Sequence, residues 1–499
     1  MDHRDVYLNF IHGQWKQGSS GQWDDNRNPA KPTELLGKAT RSTQLDLDRA
    51  IQAAEEAQKE WARKPRPARG ALLTKVAQIL RGKTENFSKT ITREMGKNLN
   101  EARGEVGKTI NVLEFMAAEG RRPTGQVIPS EMPNTFLYTT RTPLGVVGVI
   151  TPWNFPLCIP AWKIAPALLE GNTVVFKPSG LTPGSATLLV RAFEEAGIPP
   201  GVLNLIYGSG SVIGEGMVHN PKIRAISFTG SNEIGNALYA QAAKQLKRVQ
   251  LEMGGKNPII ILSDADLDLA VEATVMGAFG STGQRCTATS RILIEKSVKE
   301  AFTEKLLART RQIKVGDGLA DPTAMGPVVD EKQYHTVLEA IEMAKKGGAR
   351  LLCGGEAIGS PPPGKGSETG YFIAPTIFDE VRSEMPLARE EVFGPVLAIL
   401  EVSGFEEAIQ IANEVKYGLS SSIYTRDVQK VLEYADQIET GMLHVNSPTV
   451  GGEAQAPFGG VKATGLGGRE MGSTGPEFFC ELKTIYVDYN TAVRQGNLY

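Results

Sequence analysis

Between Pro143 and residue 251, short apolar runs alternate with longer helical stretches. That alternation restricts this part of the chain to a parallel sheet covered on both faces by helices. The spacing predicts strands over 145–150, 173–176, 202–206, 225–228 and 249–251. Helices are expected over 159–169, 184–195, 212–218 and 234–246. A second alternating unit starts near Asn257, with strands over 258–262 and 291–294 and helices over 267–279 and 298–311. The first stretch of the chain reads as helical, over 45–63 and 68–94, where apolar residues recur every three or four positions. A glycine- and proline-rich loop is expected over 359–366, and a last strand over 484–487 is followed by a polar tail to Tyr499. There is no internal repeat and no low-complexity tract.

A chain of 499 residues is too long for one ordinary core, so two or three domains are expected. A net charge of −2 argues against an electrostatic nucleic-acid or membrane binder. Met1-Asp2-His3-Arg4-Asp5 leads into no apolar signal core, and no apolar run is long enough to span a bilayer. The cysteines Cys158, Cys286, Cys353 and Cys480 are too scattered for a disulfide framework, which makes a reducing cytoplasm the expected compartment. His3, His12, His219, His335 and His444 lack metal-ligand spacing, so no metal site is expected.

Several segments carry chemistry. Cys286 lies in Gly283-Gln284-Arg285-Cys286-Thr287, a run of small and polar residues after a predicted helix. A lone cysteine is ordinarily a buried small hydrophobe, but such a run can expose the sulfur. A thiol can form a covalent intermediate, and a carboxylate can activate the water that resolves it. Glu252, in Glu252-Met253-Gly254-Gly255-Lys256, is such a carboxylate, although alone it reads as a strand-end surface group. Asn154, in Thr151-Pro152-Trp153-Asn154-Phe155-Pro156, directly follows a predicted strand. It is a turn asparagine or an amide placed where α/β proteins hold ligands. Lys177 and Phe228-Thr229-Gly230-Ser231 also follow strands, and helix starts with small residues accept anions. Gly208-x-Gly210-x-x-x-Gly214 has one residue more than the usual dinucleotide fingerprint.

These segments together resemble the NAD(P)-dependent aldehyde dehydrogenase superfamily, from about residue 10 to about residue 487. The resemblance implies an α/β, aldehyde dehydrogenase-like fold in three parts. They are a Rossmann-type cofactor domain (1–121 and 142–252), an α/β catalytic domain (253–455) and a small β bridging and oligomerisation region (122–141 and 456–499). It implies that Cys286 is the nucleophile, Glu252 the general base, and Asn154 an oxyanion donor together with the Cys286 N–H. The cofactor, NAD or NADP, would meet Lys177 and Ser179 at the adenosine ribose and Ser231 near the pyrophosphate, with Trp153 beside it. Glu391 would hold the nicotinamide ribose, flanked by Phe393. Ile150, Thr151, Gly180, Gly210, Gly214, Phe228, Ile234 and Gly254 complete the implied cofactor set. Met253 stands where the family usually has leucine, a volume-conserving change. Gly180 stands where NAD-preferring members often carry glutamate, so NADP is expected to be accepted alongside NAD.

Substrate positions map near Phe155, Cys158, Ile159, Trp162, Arg285, Thr287 and Phe458, with Lys108 approaching by rough alignment. Arg285 is either a surface or helix-contact residue or, if it faces the tunnel, a group that binds a substrate carboxylate. The wording Gly-Gln-Arg-Cys-Thr-Ala-Thr, Lys-Pro-Ser-Gly and Pro-Phe-Gly-Gly-Val-Lys looks most like the 2-oxoglutarate semialdehyde (2,5-dioxovalerate) dehydrogenase branch, with succinic and glutaric semialdehydes as further candidate substrates. A broad-specificity aliphatic, aromatic or betaine aldehyde dehydrogenase is the alternative. A CoA-acylating dehydrogenase and a non-catalytic protein on the same fold are the competing classes, and the intact Glu252 argues for hydrolysis over acyl transfer. The resemblance implies a small-molecule aldehyde as partner, no nucleic acid or membrane, and a homodimer or homotetramer.

Overall fold

The computed structural model of the chain describes residues 6–320, 322–359 and 369–489. The expected loop beyond Gly359, the polar tail from residue 490 and the first five residues lie outside these.

Alternation within the strands sets the architecture. Val147, Val149, Val174 and Phe176 pack into one hydrophobic cluster. Val146, Ile150, Val175 and Ile226 pack into another. Strands buried on both faces must lie inside a layered α/β unit. This sheet runs Gly465–Leu466, Arg248–Glu252, Ile223–Thr229, Val146–Ile150, Thr173–Lys177, Leu203–Leu205, Asn9–Ile11 and Gln14–Lys16. Its five central strands are parallel, and antiparallel strands close both edges. From Val146–Ile150 the chain adds strands on one side and then crosses to Ile223–Thr229 on the other. That reversal leaves a crevice beyond the carboxyl ends of these two strands, where open α/β sheets bind ligands.

A second sheet repeats the logic. Its order is Arg350–Cys353, Thr376–Asp379, Val396–Val402, Thr289–Glu295, Asn257–Ile261, Ser420–Tyr424 and Met442–Val445. Only the first pair is antiparallel. Ile259, Ile261, Ile292 and Ile294 face one cluster, Ile260 and Leu293 the other. Glu252 ends a strand of the first sheet and Asn257 begins one of the second, so the intervening glycines lie where the sheets meet. A third, antiparallel sheet joins Val127–Ile128, Thr135–Pro143 and Cys480–Asp488.

The fold is α/β as expected, and the strands expected after Pro143 form with nearly the expected bounds. Three differences stand out. The helical stretch over 68–94 is two helices, Arg66–Gly82 and Thr84–Met95. Gly82 is a poor helix former, and the Thr84 hydroxyl bonds back to the Arg81 carbonyl at 3.0 Å, competing with the backbone ladder. The chain also opens with strands before its first helix, among them Asn9–Ile11, Trp23–Asn28 and Lys31–Thr40. Finally, the helix Leu99–Glu119 is absent from the periodicity reading because Gly104 and Gly107 interrupt it; its signal is the Asn98/Glu101 capping box. Among the described residues no helix is long and apolar enough to cross a membrane, and no group of side chains could hold a metal ion.

Candidate active site

Cys286 follows a left-handed turn through Ser281 (φ 49°), Thr282 (φ 59°) and Gly283 (φ 68°). Non-glycine residues in that region cost roughly 1–3 kcal/mol each, so the surroundings must enforce it. The Thr282 hydroxyl donates to the Gly326 carbonyl at 3.0 Å, and Gln284 Oε1 accepts the Val329 N–H at 2.9 Å. A Cβ on Gly283 would collide with the Gly394 carbonyl. Asn257 Nδ2 donates to the carbonyls of Cys286 and Ala288, both at 2.8 Å, tying the loop to the second sheet. The Cys286 side of the loop is part-exposed, whereas Cys158 and Cys480 are buried. Burial still pushes the Cys286 thiol up to about 12; the charges of Glu252 and Glu391 add to the shift and Lys108 opposes it.

Asn154 is buried after the strand Val146–Ile150. Its Nδ2 donates to the Gln284 carbonyl at 3.1 Å, two residues before Cys286. An amide nitrogen has two hydrogens, and the second has no partner among the described residues. The Asn154 carbonyl accepts from Lys97 Nζ at 2.9 Å, and Lys97 pairs with Glu105 at 2.6 Å, both side chains being fully buried. The other Glu105 oxygen accepts the N–H groups of Leu157 and Cys158, which open the helix Cys158–Leu169. Sequence reasoning missed Lys97 and Glu105. Nothing in their local pattern marks them: Lys97 lies in the short loop before Leu99–Glu119, eight residues ahead of Glu105, and that spacing carries no pairing signal.

Glu252 is also buried, and neither carboxylate oxygen makes a hydrogen bond of normal geometry. Burial, then the Glu470 charge, holds it well above the ordinary carboxylate range, partly offset by Lys163 and Arg469. Glu470 pairs with the buried Lys163, which donates to Ser227 at 3.0 Å. The carboxylate lies against Gly459 and Gly465, and a Cβ on Gly459 would meet it. Lys163 and Glu470 are further groups that no sequence motif singled out.

The expected cofactor residues converge on the crevice at the sheet reversal. A cavity of about 750 Å³ is lined there by Ile150, Thr151, Trp153, Lys177, Ser179, Gly180, Gly210, Gly214, Phe228, Ser231 and Ile234. The hydroxyls of Thr151 and Thr229 are buried in this lining without partners. Burial lowers the Lys177 ammonium to about 8, and its only hydrogen bond among the described residues goes to the adjacent Pro178 carbonyl. Such unmet donors fit a polar, anionic dinucleotide. The helix Asn232–Ala243 starts at this cavity, capped by Ser231. A Cβ on Gly235 would strike Met253, so glycine lets that helix lie close. The extra residue in the glycine fingerprint is absorbed by a π-helical turn over Gly210–Gly214.

Gly254, Glu391 and Phe393 lie outside this cavity but near it. The Phe393 ring meets Trp153 edge-on, with centroids 5.4 Å apart. Glu391 accepts the Gly255 N–H at 3.0 Å, and its carboxylate lies where a Cβ on Gly254 would stand, so a side chain there would displace it. Burial raises Glu391 to about 7.

Of the expected substrate residues, Ile159, Trp162 and Phe458 belong to one hydrophobic cluster, with Phe155 and Cys286 packed against it. The Trp162 and Phe458 rings are 5.2 Å apart. Thr287 is buried, and its carbonyl accepts from the Thr449 hydroxyl at 2.8 Å. Arg285 takes the helix-contact arrangement: its guanidinium donates to Glu101 at 3.0 Å and to the Ser281 hydroxyl at 3.1 Å.

The aldehyde dehydrogenase family model matches residues 15–485. The chain is 46% identical over 484 residues to an alpha-ketoglutaric semialdehyde dehydrogenase of Bacillus subtilis (strain 168), covering 97% of this chain and 98% of that one. An NAD-dependent aldehyde dehydrogenase from Sinorhizobium meliloti superposes with a TM-score of 0.94 at 34% identity, covering 98% of this chain and 96% of that one. An NADP-dependent enzyme from E. coli superposes at 0.93 with 35% identity, covering 98% of this chain and 99% of the other.

Proposed function

The chain belongs to the aldehyde dehydrogenase family, and from that premise we propose that it oxidises 2-oxoglutarate semialdehyde to 2-oxoglutarate with NAD or NADP, through a thioester on Cys286. The observation that carries the chemistry is convergence on one sulfur. Asn154 is anchored two residues before Cys286 with an N–H to spare, and the Glu252 charge acts on the thiol itself.

Cys286 loses its thiol proton to solvent, the thiolate attacks the aldehyde carbon, and the spare Asn154 N–H with the Cys286 backbone N–H receives the oxyanion. A bound nicotinamide supplies the hydride acceptor. Glu252 then takes a proton from the water that hydrolyses the thioester. Its buried setting makes it a strong enough base for that step once ionised. Glu470, whose charge reaches Glu252 and which is bonded to Lys163, is the adjacent group able to take the proton onward.

Lys177, Ser179 and Ser231 are assigned to the cofactor's adenosine and phosphate groups, and Glu391 with Phe393 to its nicotinamide end. Gly180 has open space where a Cβ would stand, and no carboxylate there repels a 2′-phosphate. The desolvated Lys177 favours such a phosphate, so NADP is used alongside NAD. The substrate assignment draws on the Bacillus subtilis relative. A cationic aldehyde such as betaine aldehyde would meet the Lys108 ammonium over the tunnel rings. We assign 1–121 and 142–252 to cofactor binding, 253–455 to catalysis, and 122–141 with 456–499 to pairing between copies as a dimer or tetramer. Four unpaired cysteines support a reducing compartment, the cytoplasm.

The test is NAD(P)H formation with 2-oxoglutarate semialdehyde, succinic semialdehyde, pentanal and betaine aldehyde, each with both cofactors. The expected result is a kcat/KM for 2-oxoglutarate semialdehyde at least about tenfold above pentanal and betaine aldehyde. A preference for uncharged aldehydes would overturn the substrate and keep the chemistry. An NAD advantage beyond ~100-fold would overturn the use of NADP.

A further inference from the structure

The substrate proposed above carries a carboxylate and an oxo group at the end opposite its aldehyde, and burying that end requires donors not already in use. Arg285, the cation beside Cys286, is committed to Glu101 and Ser281. Lys108 is different. It stands on the helix Leu99–Glu119, half-buried, and has no hydrogen bond and no ion pair among the described residues. Its neighbouring carboxylates are engaged elsewhere: Glu105 with Lys97, Glu114 with Arg81, Glu453 with Gln455.

The Lys108 ammonium nevertheless turns inward. It lies 5.3 Å from the Trp162 ring centroid and 5.7 Å from that of Phe458. A Cβ on Gly452 would come within 3.4 Å of it, so it rests over that glycine. The two rings hold the cation by their quadrupoles and leave N–H donors free, since an ammonium has three. Trp162 adds an independent observation: its indole Nε1 is buried with no acceptor among the described residues. Outward from Lys108, Gly104, Gly107, Asn111 and Gly452 line an open cavity of about 660 Å³ that continues to the surface. Lys108 is also close enough to Cys286 for its charge to act on the sulfur.

We propose that Lys108 Nζ and the Trp162 Nε1–H together form the subsite for the substrate's 2-oxo carboxylate, with Arg285 holding the nucleophile loop to its helix. This rests on the reading that the substrate is the anionic semialdehyde. The aldehyde then sits at Cys286, the chain of the substrate runs along Trp162 and Phe458, and the carboxylate meets the one cation on this wall that lacks a counter-ion.

The test compares kcat/KM for 2-oxoglutarate semialdehyde with that for pentanal in the wild type and in Lys108→Met, Lys108→Arg, Trp162→Phe and Arg285→Met. Lys108→Met should lower the ratio by about 30-fold, the scale of one charged hydrogen bond. Lys108→Arg should restore most of it, and Trp162→Phe should lower it by a smaller factor. Arg285→Met should slow both substrates alike and keep the ratio. Competitive inhibition by the product 2-oxoglutarate, measured on the same variants, should weaken in Lys108→Met and recover in Lys108→Arg, whatever the catalytic rate. A wild-type preference for the anion that survives Lys108→Met, or that collapses in Arg285→Met alone, overturns the subsite and spares the substrate reading. No preference in the wild type overturns both.

Discussion

At Cys286 and Glu252 burial works against ionisation of both proposed reacting groups. The thiol is held as a thiol by desolvation first and the Glu252 charge second, and the carboxyl as an acid by desolvation first and the Glu470 charge second. Below its pKa a group's ionised fraction grows about tenfold per pH unit, so turnover limited by Glu252 should rise with pH. The sign follows because the raised pKa leaves the base protonated at low pH. Glu252→Gln should keep a single-turnover burst of NAD(P)H, lose that pH dependence and slow the steady state by ~100-fold or more. Stopped-flow absorbance across pH checks this, and a normal steady-state rate in the variant would sink the role. Sequence reading reaches these two residues because the glycines beside Glu252 and the small residues around Cys286 are local. It also reaches Lys108 and Trp162 as substrate positions, but not their pairing state, which depends on what fails to meet the ammonium and the indole N–H across the fold.

At the scale of elements, the helix Leu99–Glu119 organises the site from behind. Glu105 caps the start of Cys158–Leu169, and through Lys97 it steadies the Asn154 carbonyl. Removing one partner of a buried pair leaves the other charge uncompensated, at a cost of roughly 3–5 kcal/mol. Glu105→Leu should therefore move the urea midpoint down and lower kcat. Lys97→Met should do the same, and the double variant should be less destabilised than the sum of the two, because no lone charge remains. A sum that adds within about 0.5 kcal/mol would show that the pair is not coupled. The parallel strands were legible because they are uniformly apolar, whereas this helix was hidden by Gly104 and Gly107 and the first strands by their short, mixed composition.

At the scale of the whole molecule, the third sheet stands apart from the four cores. The strand Cys480–Asp488 leaves Leu482, Tyr486 and Val487 exposed, and Val127 and Phe136 are exposed on its neighbours. Exposed apolar edges of this kind are suited to covering by a second copy. The proposed dimer or tetramer should be seen by sedimentation in the wild type, and Leu482→Asp combined with Tyr486→Asp should shift it toward monomer. An unchanged sedimentation profile would count against this surface.

The sequence by itself determined the doubly covered sheet and picked out the crevice segments and the proposed reacting trio, because period, glycine and motif are properties of neighbouring residues. Tertiary structure alone decided which cations are spent and which are free. Arg285 and Lys108 both lie over aromatic rings of the expected substrate set, and what separates them is that Glu101 pairs with Arg285 while no carboxylate among the described residues pairs with Lys108. Charge pairing is a property of distances across the fold, and no local pattern encodes it.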